Sequence, residues 1–401
     1  MTPADDTGQG RFRLVAVAAF LLLGLAIGRI ASLVMHEPLL AYANNYDMIR
    51  VQACHQVWPA DDGVSITQGT PEAPLRHYTF GKQVDTPCVA SSALLFSGIA
   101  TGAATLANRV TGEDGFDMRL AGITGAIFLC GTLLLVSMYF FTRRNGTALL
   151  ANGLVALLAL SDPGVTLYLN TFYPEFAAAY FLYLSLAGAA MLVAAQWRTI
   201  WCLPVLAGLI GLAFSKPQHL PLALLLAGLL ALYAASRRQW LPTALLLLAA
   251  LLPPALLGGQ FIVTQDRSMA LASKVNLTGS VLGLADNPAA LLQAMQLPAG
   301  CAALAGKNWY HPAVQQNNPC PELQGTSRFT IAVALLRHPP VLNKLLRQAM
   351  PTIGHWLIDS YGQVEQGKTA MASRYQRSIG DLLQRAPSRL HPLLLTAGFL
   401  R

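Results

Sequence analysis

Through the first two thirds of the chain, apolar residues fall in long unbroken blocks, without the alternation of a half-buried strand or the stripe of a soluble helix. Residues 14–35 form the first block, 22 residues or roughly 33 Å of helix, which matches a hydrocarbon core of about 30 Å. Further blocks span 120–141, 148–169, 176–195, 200–214, 220–235 and 241–263, so the pattern predicts about seven transmembrane helices. The block at 200–214 is short and could pair with its successor as a re-entrant hairpin around Ser215-Lys216-Pro217-Gln218-His219, which leaves the parity of the topology unchanged. The first block is long for a signal sequence and has no convincing cleavage site before His36-Glu37-Pro38, so it reads as a retained helix. The predicted fold class is all-α and polytopic, with a membrane domain over 1–263 and a mainly helical extracytoplasmic segment over 264–401.

Charge orients the helices. Arg11, Arg13, Arg143, Arg144, Arg198, Arg237 and Arg238 flank one set of ends against only Asp5 and Asp6, which predicts that side, and the N-terminus, to be cytoplasmic. The opposite side then carries the long loop 36–118 with nine acids. Its apolar stretch 89–108 is read as a helix on or above the membrane, because a span there would reverse every later charge bias. The cysteines agree: Cys54 and Cys88 share that loop, and Cys301 and Cys320 share the later segment, so two local disulfides are expected in an oxidising compartment. Cys130 and Cys202 fall inside predicted helices.

The net charge of +8 does not indicate nucleic acid, because the basic residues are short anchors or are dispersed along the last segment, as Arg328, Arg337, Lys344, Arg347, Arg374, Arg377, Arg385 and Arg389. There they suit anionic headgroups or a solvated face equally. Residues 341–350 place apolar positions at helical spacing opposite Lys344 and Arg347, which predicts a helix resting on the outer leaflet. Residues 391–400 look like the opening turns of another apolar helix, so the chain is expected to continue past Arg401 in a longer protein.

Little chemistry-bearing sequence remains. Asp47, in Asn44-Asn45-Tyr46-Asp47-Met48-Ile49-Arg50, is a carboxylate at the lip of the membrane, placed to take a proton from an acceptor hydroxyl. Arg50 is three residues on and would pair with Asp47 or with a phosphate. Glu175 opens the span after Asn170-Thr171-Phe172-Tyr173-Pro174, where it is either a second catalytic acid or a helix N-terminal charge. Asn170 and Tyr173 beside it suit sugar binding, and Tyr173 suits interface anchoring as well. Lys216 interrupts apolar sequence, with His219 three residues later, and is the cation expected to grip a phosphate unless it merely snorkels to the interface. Arg29 in the first helix reads as structural, and Asp61-Asp62-Gly63 as a solvated turn. His311, beside Trp309 and Tyr310, is a candidate for lining a carbohydrate site. There is no phosphate-cradling glycine loop, nucleophile elbow or zinc spacing. No cofactor and no protein metal site is expected, with a divalent metal left open.

The stretches Asn45-Tyr46-Asp47-Met48-Ile49-Arg50, Phe116-Asp117-Met118-Arg119-Leu120, Asn170 to Glu175, Ser215-Lys216-Pro217-Gln218, His338-Pro339-Pro340 and Tyr361-Gly362-Gln363-Val364-Glu365 together resemble the GT-C class of polytopic glycosyltransferases. Within it the chain is most similar to bacterial hexose transferases of surface-glycan assembly that use polyprenyl-phosphate sugars. The resemblance implies an inverting enzyme of the cytoplasmic membrane with its site on the extracytoplasmic face, a first-loop acid (Asp47) as base, and a glycan or lipid acceptor. The competing expectations are a transporter or flippase of lipid-linked glycans, which calls for ionisable residues or broken helices at mid-membrane, and a non-catalytic envelope assembly partner.

Overall fold

The computed structural model describes residues 5–43, 46–60, 73–81, 88–112, 114–257, 267–349 and 362–365. They form two compact units. The first comprises the described residues up to Leu256 together with 362–365, and the second covers 267–349.

In the first unit the apolar blocks are helical over their described residues: α1 (Asp5–Val34), α4 (Arg119–Thr142), α5 (Gly146–Val155), α7 (Pro174–Ala194), α8 (Cys202–Ala213), α9 (Leu220–Ser236) and α10 (Trp240–Leu257). Among the described residues three helical stretches are long and apolar enough to cross a membrane, Gln9–Val34, Arg119–Thr142 and Pro174–Ala194, and four shorter apolar helices accompany them. Their faces are arranged for lipid. On α1 the buried stripe is Ala16, Ala19, Leu23, Ala26 and Ile30, while Leu14, Val17, Leu21 and Leu25 point out. On α9 the buried stripe is Ala223, Ala227, Ala231 and Ala234, with Leu225, Leu229 and Leu232 outside. Small residues between helices allow the close approach that membrane bundles use in place of a hydrophobic driving force. At Gly208 of α8 a Cβ would lie 2.5 Å from the backbone nitrogen of Ser185 on α7, so only glycine permits that crossing.

The expected helix over 148–169 is not continuous. It runs as α5, a π-turn at Ala156–Leu160 and then the single turn α6 (Pro163–Thr166). Pro163 has no N–H to continue the ladder, and the Asp162 carboxylate restarts the helix by accepting from the Gly164 amide at 2.8 Å.

Loop 36–118 corrects the all-α expectation. It contains α2 (Tyr46–His55), α3 (Leu94–Thr111) and a three-stranded antiparallel sheet of β1 (Val57–Pro59), β2 (His77–Phe80) and β3 (Gly115–Asp117) in the order β1-β2-β3. Trp58 pairs with Thr79, and Tyr78 with Phe116. Trp58, Tyr78 and Phe116 are fully buried, Trp58 against Ile49 and Ala53 of α2, and Tyr78 and Phe116 in a core shared with Leu33, Leu167 and Phe172. The stretch expected to lie on or above the membrane is α3, which packs on α4. Residues Gly362–Glu365, expected within the last segment, belong to this unit instead. Ala41 donates to the Gln363 carbonyl, Ala43 to the Gly362 carbonyl, and Glu365 to the Leu39 carbonyl, which makes an antiparallel bridge between Leu40 and Val364.

The second unit is helical, with α11 (Arg267–Leu284), α12 (Pro288–Ala294), α13 (Pro312–Gln316), α14 (Arg328–Leu336) and α15 (Pro339–Ala349). Its core includes Val275, Leu291, Met295, Leu304, Ile331 and Val341. In the helix expected to rest on a leaflet at 341–350, Val341 is buried in that core and Leu345 packs against it, while Leu346 is exposed.

Cysteines pair as anticipated, Cys54 with Cys88 and Cys301 with Cys320; Cys130 and Cys202 are free thiols. The second bridge closes a separation of 19 residues, worth about 3 kcal/mol in the chain-entropy account. Cys301→Ser with Cys320→Ser is therefore expected to lower the unfolding midpoint without reductant. The difference from wild type should vanish once both proteins are reduced. The apolar run 391–400, Asp61-Asp62-Gly63, Asn44, Asn45, Tyr361 and the basic residues from Arg374 onward lie outside the described residues.

Candidate functional site

The two ends of the first unit differ in chemistry. At one end, aromatic and basic residues gather: Tyr139 stacks near Trp201 with ring centroids 4.5 Å apart, Trp197 near Tyr233 at 5.5 Å, and the Arg143 and Arg237 guanidinia lie over Tyr139 and Tyr233 at 5.6 and 5.4 Å. Such a belt is typical of a membrane interface. The other end holds Asp47, Glu175 and Lys216.

Asp47 occupies the first turn of α2, where the helix dipole favours a carboxylate. The helix is held by buried Met48 and Val51 on one cluster, by buried Ile49 and Ala53 against Trp58, and at its far end by the Cys54–Cys88 bridge. Glu175 occupies the first turn of α7 behind Pro174, whose fixed φ and missing N–H suit a helix start. Lys216 follows the last turn of α8. That turn is tied down by residues the sequence did not advertise: Ser92 Oγ donates to the Gly211 carbonyl at 2.7 Å, the Ser92 amide to Phe214 at 3.0 Å, and Ser91 Oγ to Ser215 at 2.8 Å. The serines satisfy carbonyls that a helix C-terminus leaves open.

Three segments far apart in sequence therefore meet at one ammonium. Lys216 Nζ donates to Asp47 Oδ2 at 2.9 Å and also to Glu175 Oε1. Arg50 Nη1 lies 4.0 Å from Asp47 Oδ1. Burial disfavours the charged lysine, but Glu175 and Asp47 outweigh it and hold its pKa above the ordinary value, so Lys216 is a cation throughout the physiological range. His219, in the turn that follows, bonds Ser215 Oγ through Nδ1 at 2.9 Å; burial first and the Lys216 charge second push its pKa down. The imidazole is therefore neutral beside the cluster.

Asn170 and Tyr173 sit close by but within the packing. Asn170 is 2% exposed and donates both amide hydrogens to backbone, to the Val34 carbonyl at 3.2 Å and the Leu40 carbonyl at 2.9 Å. The Tyr173 hydroxyl donates to the Ala43 carbonyl at 2.7 Å. Together they hold the segment that leads to Asp47.

A second layer of charge was not foreseen. Arg119 opens α4 and binds Glu37 and the His36 carbonyl, while Arg76 joins Glu37 at 3.3 Å and Asp117 at 2.9 Å. The Arg119 hydrogen bond holds the Glu37 carboxyl below its usual range. Glu365 Oε2 accepts from the Leu39 amide at 2.8 Å, which ties residues 362–365 to the same segment. On α2 itself His55 Nε2 lies 2.8 Å from Ser97 Oγ, with its pKa lowered by burial. Beside it, Phe96, Ser97, Phe172, Tyr173 and Phe176 line a small cleft with room for about one water.

Among the described residues one grouping has metal-ligand spacing, Cys301, Cys320 and Glu322, but its sulfurs are joined to each other and offer no thiolate. The Trp309 amide donates to Asn276 at 2.7 Å, and His311 caps α13 through its ring, so that stretch is occupied in holding its own turn.

No curated protein and no solved structure matches the chain. The family model described as the YfdI N-terminal transmembrane domain matches residues 13–396, and the chain, apolar helices and charged helix-end cluster included, belongs to that family.

Proposed function

We propose that the protein is an integral-membrane glycosyltransferase. It moves a hexose from a lipid-phosphate donor, a polyprenyl-phosphate sugar, to an envelope glycan or lipid acceptor on the extracytoplasmic face of the cytoplasmic membrane. The observation that carries the reading is the bridged cluster, in which a carboxylate and a lasting cation stand side by side at the ends of apolar helices. Asp47 takes the proton of the acceptor hydroxyl, and the freed oxygen pair attacks the anomeric carbon. The bond from that carbon to the phosphate oxygen breaks with inversion, and its electron pair leaves on the lipid phosphate, whose charge Lys216 and Arg50 face. Membership of a transmembrane-domain family and the lipid-facing leucines support a donor that arrives through the bilayer.

A second reading, transport of lipid-linked glycans, draws on the helix break at Asp162, since interrupted helices with buried acids mark transport sites. Supplying the purified protein with polyprenyl-phosphate hexoses and a lipid acceptor separates the two. Transfer is expected to release polyprenyl phosphate, and Asp47→Asn to slow it at least ~100-fold, the scale of a lost general base. A folded Asp47→Asn protein that transfers normally would remove Asp47 from the mechanism.

A further inference from the structure

In the arrangement just described Lys216 has one hydrogen bond left to offer a phosphate, unless it changes partners. An ammonium has three hydrogen-bond donors, and two of them already point at carboxylates. The two carboxylates are not equivalent. Asp47 has a second cation, Arg50, within 4.0 Å. Glu175 has its other oxygen, Oε2, buried and without a hydrogen-bond partner among the described residues, and the backbone beneath it is fixed by Pro174 and by buried Phe176 and Ala177. Withdrawing Lys216 from Glu175 strands a part-buried charge, whereas withdrawing it from Asp47 leaves Arg50 in attendance.

We infer that Lys216 exchanges anions during the reaction cycle: Glu175 tethers the ammonium throughout, and Asp47 competes with the phosphate of the lipid for its remaining hydrogen bonds. The inference rests on the transferase reading for the identity of the lipid, and it changes the part played by Glu175 from catalytic acid to positioning residue. In the resting protein Asp47 is engaged by Lys216, with Arg50 close by. A phosphodiester that draws the ammonium toward itself releases Asp47 Oδ2 from Lys216, with Arg50 still beside the carboxylate. After transfer Asp47 carries the acceptor's proton, while the lipid phosphate has passed from a diester with one negative charge to a monoester with nearly two. Once Asp47 gives that proton to water, its carboxylate retakes Lys216 and loosens the product. A lipid phosphate held by an uncontested lysine would instead be slow to leave.

Binding alone tests this, with no turnover required. A short-chain polyprenyl phosphate in detergent micelles is titrated into the full chain, with inorganic phosphate as a parallel arm. Asp47→Asn removes the competitor and is expected to bind polyprenyl phosphate about ten-fold tighter than wild type, the scale of one close charge pair. Asp47→Glu keeps the competitor and is expected to bind like wild type. Lys216→Met is expected to weaken binding, and adding Asp47→Asn to it to give no tightening. Glu175→Asp, which keeps the tether, is expected to preserve the contrast between Asp47→Asn and wild type. Equal binding by wild type and Asp47→Asn overturns the exchange, as does tightening that survives without Lys216. Should Lys216→Met not fold, the comparison of Asp47→Asn with Asp47→Glu decides alone. Tightening toward inorganic phosphate to the same extent overturns the lipid assignment. An inactive wild type that shows the expected binding pattern would reject glycosyl transfer and leave the exchange standing.

Discussion

Replacing Lys216 by methionine is expected to abolish transfer and to lower stability at once, and the two losses should part company when Glu175 is changed as well. In the native cluster the lysine side chain is 15% exposed, against 32% for Asp47 and 25% for Glu175. Removing the central cation from a fully buried cluster costs about 3–5 kcal/mol; partial solvation of both acids lowers the expectation here to about 2 kcal/mol. The cost comes from two carboxylates left facing each other, so it depends on both remaining charged.

Lys216→Met with Glu175→Gln leaves Asp47 beside Arg50 and a neutral amide. About half of the lost stability should return, because removing both members of a pair is far gentler than removing one. Transfer should not return, since the phosphate still lacks its cation. Thermal unfolding in detergent and donor turnover, measured on wild type and the three variants, check the scheme. A double variant as unstable as the two single losses added together would mean that Lys216 and Glu175 do not interact, and a double variant that regains transfer would remove Lys216 from phosphate binding.

Much of this cluster was legible before the fold. Lys216 stood out because an ammonium inside apolar sequence is expensive, and Asp47 because an acid at the edge of a membrane-length block has few structural duties. The helical blocks were legible for the same reason: in lipid the backbone must bond to itself, so long apolar runs become helices. The helix break at Asp162 escaped because Ser161-Asp162-Pro163-Gly164 is too brief to interrupt an apolar average, although its Asp-Pro pair is a helix-start signal.

What sequence could not display was pairing between distant segments. The strands are three or four residues long and dispersed from Val57 to Asp117, too short for alternation to register. Ser91 and Ser92 lie in the apolar stretch 89–108, and nothing local shows that the end of α8 meets their hydroxyls. Asn170 was read as a sugar ligand because polar residues at the membrane lip often meet substrate, and nothing local shows that two carbonyls 130 and 136 residues away claim both of its hydrogens. The amphipathic run at 341–350 had the right period but does not name its partner: a stripe that fits a leaflet also fits a protein core, and Val341 sits in one.

Asn170 also explains a glycine, and with it the second large effect. A methyl group at Gly122 on α4 would lie 1.8 Å from Asn170 Oδ1 and 3.1 Å from a Val34 methyl. The amide has no exposed direction in which to retreat, being 2% accessible and held at both hydrogens. Gly122→Ala must therefore push Asn170 off the Val34 and Leu40 carbonyls. Overpacking of a close crossing costs about 1–3 kcal/mol, and buried carbonyls deprived of their donor add about 1 kcal/mol or more, so a loss near 3 kcal/mol is expected. Function should fall with it, because the freed segment, residues 34–43, leads directly to α2 and Asp47. Adding Asn170→Ala to Gly122→Ala empties the space that the new methyl needs, so the double variant should be more stable than Gly122→Ala while transferring no better, its two carbonyls still unbonded. Unfolding midpoints and turnover on the two single variants and the double decide the matter. A Gly122→Ala protein with wild-type stability would show that α4 and the Asn170 turn do not meet as closely as 1.8 Å requires.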